Sequence, residues 1–179
     1  KLAIQKTDYF LCVGTIEPRK NHKTTIQAFD KYCEKGGICN LIIVGDRGWK
    51  VNINALIAGA KHPSRIKYQG FVSNETLFEL YENAVASVYV SYYEGFGFPI
   101  LESMSLGCPV ITSNLGSMKE IGEGAAILVN PESVDEISDA MTLVASNNEL
   151  RSIHQKLGMA RADEFTWKAL LKRLEAVID

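Results

Sequence analysis

Residues 93–107 read YEGFGFPILESMSLG, and the apolar run VASVYV at 85–90 stands just before them. Together they read as strand, glycine-containing loop, helix. Pro99 suits the first helical position, where its missing N–H would have no partner and its fixed φ already fits. Gly107 suits the left-handed stop after the helix. Free backbone N–H groups at such a helix start attract an anion, and a phosphate is the usual occupant. Gly95 and Gly97 carry no Cβ, so the backbone there can come close to a ligand. Glu94 and Glu102 bracket the loop and the first turn. The stretch offers a seat for a phosphorylated ligand with a carboxylate on either side.

The same unit recurs outward in both directions. Tyr9–Val13 is a short apolar run ending at Gly14, and the loop 15–21 follows with Arg19 and Lys20 adjacent. Helical spacing starts near Asn21, placing Ile26, Phe29, Tyr32 and Cys33 on one face, and Gly36 and Gly37 stop it. Residues 41–44 form a second strand closed by Gly45, 51–60 read as a helix with Pro63 beyond it, and 66–68 form a third strand before Gly70. Ser73 is an N-cap, with Glu75 in the first turn and Leu77, Leu80, Tyr81 and Ala84 as an apolar stripe.

Beyond the central helix, 109–112 is a fifth strand, 116–121 a loop or short helical turn, and 126–129 a sixth strand. Ser133 can cap a helix carrying Val134, Ile137, Met141 and Val144 on one side. A further helix covers 148–164, and Thr166 can cap a last one with Leu170, Leu171, Leu174, Val177 and Ile178 on its apolar face. Short apolar strands alternating with helices imply an α/β fold, a doubly wound parallel sheet with helices on both faces. One domain over residues 1–179 is expected, with the helices from about 148 as an appendage. The chain begins a few residues before its first strand, as a piece of a longer protein would.

The formal net charge of -2 argues against a general nucleic-acid binder, which is usually basic. The four cysteines, Cys12, Cys33, Cys39 and Cys108, show no C-x-x-C spacing, and Cys12 and Cys108 sit in apolar runs as buried thiols do. That usage is expected of a reducing, cytoplasmic setting. No apolar run approaches the roughly 20 residues that a membrane-spanning helix needs, and no secretory signal is visible.

In an open parallel sheet, ligands sit off the carboxyl ends of the strands. That rule gathers Gly14, Arg19 and Lys20 after the first strand, Gly45 after the second, Gly70 and Phe71 after the third, and 94–98 after the fourth. Arg supplies a planar fork for phosphate oxygens and Lys a point charge. A cation pair suits a departing diphosphate, where negative charge grows as the bond breaks. Glu102, at the fourth position of its helix, can accept from the two neighbouring hydroxyls of a ribose, and Glu94 can do the same for a sugar ring.

These residues resemble a known family. EGFGFPILE at 94–102 is similar to the E-x7-E signature of retaining glycosyltransferases, glycosyltransferase family 4 in particular. VGTIEPRKN at 13–21 resembles that family's diphosphate loop. ESMSLGCPVITSN, GFVSNETLFELYENA and the late F-T-W also fit. The resemblance covers essentially the whole chain, as the donor-binding C-terminal half of a two-domain GT-B enzyme, one Rossmann-like half of that fold.

It implies that Arg19 and Lys20, with Gly14, hold a nucleotide diphosphate, that Glu102 holds the ribose, and that Glu94 lies against the transferred sugar as the catalytic residue. It further implies contacts to donor sugar and diphosphate from Phe96, Gly97, Phe98, Pro99, Ile100 and Leu101, including the backbone amides of 97–101, and a base near Phe71 and Val72. The implied partners are a nucleotide-diphosphate sugar and an acceptor sugar or lipid-linked sugar bound mainly by the other half, which would also carry any membrane contact. The implied setting is the cytoplasm, at the inner membrane face, in polysaccharide or glycolipid assembly. Where the family often has a proline before the residue matching Glu120, this chain has Lys119, which weakens any role for 117–120.

No D-x-D triplet occurs, so no metal and no cofactor are expected, the basic pair standing in for a metal–diphosphate bridge. A dinucleotide oxidoreductase would need G-x-G-x-x-G after the first strand; Gly14 stands alone. The remaining competing functions are a nucleotide-sugar epimerase or hydrolase on the same fold and a non-catalytic nucleotide-sugar binding module. Phe96 and Phe98 are expected to wall the sugar site, Glu17 to shape its loop or lie at the surface, and His22, His62 and His154 to lie at the surface or at helix caps. Trp49 and Trp167 are expected in the core or docking helices, and Tyr92 and Tyr93 are left open.

Overall fold

A computed structural model describes residues 8–166. Its six strands are β1 (Tyr9–Val13), β2 (Asn40–Val44), β3 (Ile66–Gly70), β4 (Ala86–Tyr89), β5 (Val110–Ser113) and β6 (Ile127–Val129). They form one parallel sheet in the order β3-β2-β1-β4-β5-β6. The helices are α1 (His22–Glu34), α2 (Ile53–Ala58), α3 (Asn74–Asn83), α4 (Phe98–Ser105), α5 (Gly116–Gly122), α6 (Val134–Ser146) and α7 (Asn148–Asp163). The chain winds outward from β1 to β3, then returns and winds the other way from β4 to β6. The switch point lies between β1 and β4, where α/β sheets open a crevice.

Successive strand residues point to opposite faces, so each strand serves two layers. Phe10, Cys12, Leu41 and Ile43 pack with Ile26 and Phe29 of α1, Ile53 of α2 and Ile137 and Met141 of α6. Tyr9, Leu11, Ile42 and Val44 pack on the other side with Leu80 and Tyr81 of α3. Tyr89 and Val110 meet Ile100 and Met104 of α4 and Met118 and Ile121 of α5. All four cysteines are buried and unpaired.

The strand boundaries shift by at most two residues, and three helix readings change. Helix α2 is Ile53–Ala58, with Asn52 as its cap, not 51–60. Residues 116–121 are helical, within α5. Helix α4 starts at Phe98, with Gly97 as its N-cap at φ 115, so Pro99 holds the second position and Glu102 the fifth. A backbone at φ 115 favours a glycine, and Gly97 taking it as the cap moves the start back by one residue. Helix α7 lies across α4: Gly158 sets its backbone against Met104, where an added Cβ would be 3.2 Å from Cγ. Arg161 ties the same helix to the carbonyls of Ile121 (3.1 Å) and Glu120 (2.7 Å). The expected last helix and Trp167 lie outside the described residues.

Candidate functional site

The β1 loop is set by two glycines that touch. A Cβ on Gly45 would overlap the carbonyl oxygen of Gly14, and both residues hold φ 149. The loop runs on beside the β2 loop: Gly14 N–H donates to Val44 O and Ile16 N–H to Asp46 O, each at 2.9 Å. A 3-10 turn, Pro18–Lys20, then presents the basic pair. Asn21 follows in the left-handed region at φ 58, which Asn tolerates. Its side-chain amide donates to Val90 O at 3.0 Å and Pro131 O at 2.7 Å, fastening α1 to the end of β4. The packing also brings the side chain of Lys20 against Gly14, where an added Cβ would be 3.3 Å from Cε.

The basic pair closes on Glu94. Lys20 Nζ is 2.8 Å from Glu94 Oε1 and donates to the Tyr89 hydroxyl at 2.6 Å. Arg19 pairs through Nη1 with Glu94 Oε2 and through Nη2 with Glu17 Oε1, the latter at 2.6 Å. Burial pushes the Glu94 carboxyl up, but polar contact with Lys20, Tyr89 and Ser91 and the charge of Lys20 more than offset it, so its pKa lies below the usual range. Ser117 at the start of α5 donates to Glu94 O at 3.0 Å and fixes the loop from the other side. Thus 117–120, weak by sequence, does contribute a contact.

The mouth of α4 faces the same crevice. Pro99 has no N–H, and the Ile100 N–H donates to Gly97 O at 3.0 Å. The Ile100 N–H is thus engaged within its own turn. The Ile100 side chain is fully buried core, and Leu101 is partly buried against the same cluster. Phe96 and Phe98 lie 5.0 Å apart, 40% and 65% exposed, with Phe165 6.1 Å from Phe96.

Glu102, Phe71 and Val72 form a separate group on the α3 side. Glu102 is exposed and accepts from the Tyr81 hydroxyl at 3.4 Å. Val72 packs against the cluster containing Tyr81, and Phe71 is exposed. A cleft of about 650 Å³ lined by Asp46, Arg47, Tyr68, Gln69 and Gly70 opens nearby, at the ends of β2 and β3. Glu94 and its cations lie over the switch point and are not part of its lining. No group of three or more His, Cys, Asp or Glu among the described residues is placed to hold a metal ion.

Two expectations are corrected. Trp49 is not core: it is 56% exposed, donates to Glu17 Oε2 at 3.0 Å, and lies beneath Lys50 Nζ. The loop between β2 and α2 places it at the rim, where Glu17 links it to Arg19. His22 is not at the surface: it is 2% exposed, and burial first, then Lys20, lowers its pKa from 6.5 to about 4. Trp49 stands in a loop with no period to place it, whereas His22 opens α1 on the same face as Ile26, Phe29 and Cys33, a spacing that could have placed it in the interior. Tyr89 escapes sequence reasoning because a strand residue in an apolar run reads as packing; its hydroxyl at the carboxyl end is the signal that could have found it.

Residues 1–158 match the family described as glycosyl transferases group 1. The chain belongs to the glycosyl transferases group 1 family. This family member is 38% identical over 162 residues to O-antigen chain mannosyltransferase B of Escherichia coli, covering 89% of this chain and 42% of that protein. The chain therefore spans less than half the length of that relative. Its fold matches sucrose-phosphate synthase from Thermosynechococcus elongatus, with TM-score 0.84 and 23% identity over 99% of this chain and 46% of that one. It also matches the C-terminal domain of a glycosyl transferase group 1 family protein (LpcC) from Francisella tularensis, with TM-score 0.77 and 23% identity over 89% of this chain and 88% of that one. The group 1 domain is thus a Rossmann-like half of a GT-B fold. No helix among its described residues is long and apolar enough to cross a membrane.

Proposed function

We propose that this group 1 domain is the donor-binding half of a retaining, family 4 glycosyltransferase that transfers mannose or a related hexose from a nucleotide-diphosphate sugar. The observation that carries it is the convergence of Arg19 and Lys20 on Glu94 at the β1–β4 switch point, beside the mouth of α4. The diphosphate lies between the basic pair and the amides of Gly97 and Phe98. Glu102 grips the ribose, the base lies toward Phe71 and Val72, and Glu94 meets the transferred sugar in a site that Phe96 and Phe98 wall on one side.

As the anomeric bond breaks, negative charge grows on the leaving diphosphate, and fixed cations stabilise it there without reorganising. Arg19 and Lys20 do this without a metal. A phosphate oxygen of the donor helps deprotonate the acceptor on the same face, so no protein nucleophile is invoked. The acceptor sugar or lipid-linked sugar binds mainly to another part of the full protein, which also carries any contact with the inner face of the cytoplasmic membrane. The likeness to an O-antigen mannosyltransferase supports polysaccharide or glycolipid assembly as the setting and mannose as the sugar.

The test is calorimetric titration of the chain with UDP, GDP, ADP and their sugar conjugates. One nucleoside diphosphate binds, and Arg19→Ala weakens it by about 1.5–3 kcal/mol, the range for a hydrogen bond to a charged group. Binding unaffected by that substitution removes Arg19 from the site. Glu102→Ala lowers discrimination between ribose and 2′-deoxyribose nucleotides; an equal loss for both makes Glu102 structural. Rapid sugar transfer by the chain alone would contradict the assignment of the acceptor to another part of the protein.

A further inference from the structure

Five side chains among the described residues carry a buried nitrogen or oxygen with no hydrogen-bond partner in the protein: Asn21, His22, Ser91, Glu94 and Ser138. The first four lie along one seam, where the start of α1 meets the chain leaving β4. Asn21 Nδ2 bonds Val90 O at 3.0 Å, and Tyr92 N–H bonds Arg19 O at 2.9 Å, so the two segments are laced together. His22, Asn21 and Ser91 are 2%, 3% and 0% exposed. Both imidazole nitrogens of His22 and Asn21 Oδ1 are left over, and Ser91 Oγ has no aligned hydrogen bond although it lies close enough to act on the Glu94 carboxyl. Glu94 Oε1 meets Lys20 as a charge at 2.8 Å without an aligned hydrogen bond. Buried polar atoms are rarely orphaned, and a cluster of them is where structural water is held.

We propose that His22 is a positioning residue: with Asn21 and Ser91 it frames a buried polar chamber, its hydrogen bonds completed by water, that holds Lys20 and Glu94 in their paired orientation. The charged groups acting on the ring are Lys20 and Glu17. An uncharged imidazole can donate at one nitrogen and accept at the other, so it can serve water without repelling Lys20. An apolar side chain of the same size would fill the space but leave Asn21 Oδ1 and Ser91 Oγ without an aligned partner in a dry pocket. The proposal deepens the donor-site reading, since Glu94 is assigned there to the transferred sugar.

The test is an NMR titration of the Glu94 carboxyl in the full chain, with no ligand present. Its failure is therefore distinct from failure of donor binding. His22→Gln, which still donates and accepts, should leave the Glu94 titration where it is. His22→Phe should raise it by about half a unit or more as Lys20 loses its orientation, with His22→Leu in its place should the larger ring not fold. Ser91→Ala should shift it in the same direction, because Ser91 itself lowers the Glu94 pKa. An unchanged Glu94 in the apolar variants, or a shift in His22→Gln as large as theirs, overturns the proposal. A shift in Ser91→Ala alone assigns the role to Ser91 and overturns it for His22.

Discussion

Lys20 and Glu94 form a nearly buried ion pair, with Nζ 2.8 Å from Oε1 and side chains only 10% and 7% exposed. Such a pair is weak evidence of net stabilisation, but breaking it from one side leaves an uncompensated charge.

Lys20→Met should cost about 3 kcal/mol, because it strips the main charge partner from a buried carboxylate. The same substitution in a Glu94→Gln background should cost much less. Urea denaturation of the four chains gives the coupling, and additive costs would mean that the pair is not coupled.

Glu94→Gln also changes what the site offers an anion. Arg19 and Lys20 face two carboxylates, Glu17 and Glu94, so two positive charges meet two negative ones. Removing the Glu94 charge leaves an excess of one positive charge and should tighten nucleoside diphosphate binding several-fold while sugar transfer by the full protein falls. Calorimetry showing weaker binding would place the diphosphate away from this cluster.

Stability should fall as the protein is acidified. The His22 pKa is lowered from 6.5 to about 4, chiefly by burial, so between those values the unfolded chain takes up a proton that the folded chain refuses. The contribution is complete above 6.5 and is lost as the pH falls toward 4; it amounts to about 3 kcal/mol. Glu94, lowered below its usual 4.5, adds a loss of the same sign at more acid pH. Urea midpoints at pH 7 and pH 4.5 measure the slope, which should be shallower in His22→Gln.

Gly45→Ala should cost about 3 kcal/mol, combining a positive φ with overlap on the Gly14 carbonyl. Gly95→Ala, with nothing within 4 Å of the added Cβ, should stay within about 0.5 kcal/mol. Equal melting temperatures for the two variants would contradict the close approach.

Arg161→Ala should cost about 1.5–3 kcal/mol, because it frees the carbonyls of Glu120 and Ile121 and unfastens α7 from α5. Hydrogen exchange should quicken in α5 and α7 and stay unchanged in α1.

The sheet and its helices are legible in the sequence because their signals are periodic or terminal. Ile26, Phe29 and Tyr32 repeat at helical spacing, and Ser73 and Ser133 both accept from the backbone three residues on, as caps do. The meeting of Arg19 and Lys20 with Glu94 follows from strand order, since parallel strands put successive loops on one edge. Pairing itself is not legible: nothing local says that Glu94 turns toward the cations while Glu102, eight residues on, turns to Tyr81. Trp49 and His22 defeat a sequence reading for a related reason. A lone indole reads as apolar and a lone imidazole as polar, yet Trp49 stands in an exposed loop and His22 on the buried face of α1.

The contact between Gly14 and Gly45 has a bearing on engineering. Their backbones stack with no room for a side chain, so the segments after β1 and β2 behave as one moulding. Anyone transplanting the segment after β1 from another member of the family into this scaffold would have to move both segments together, or the graft would arrive without its mate.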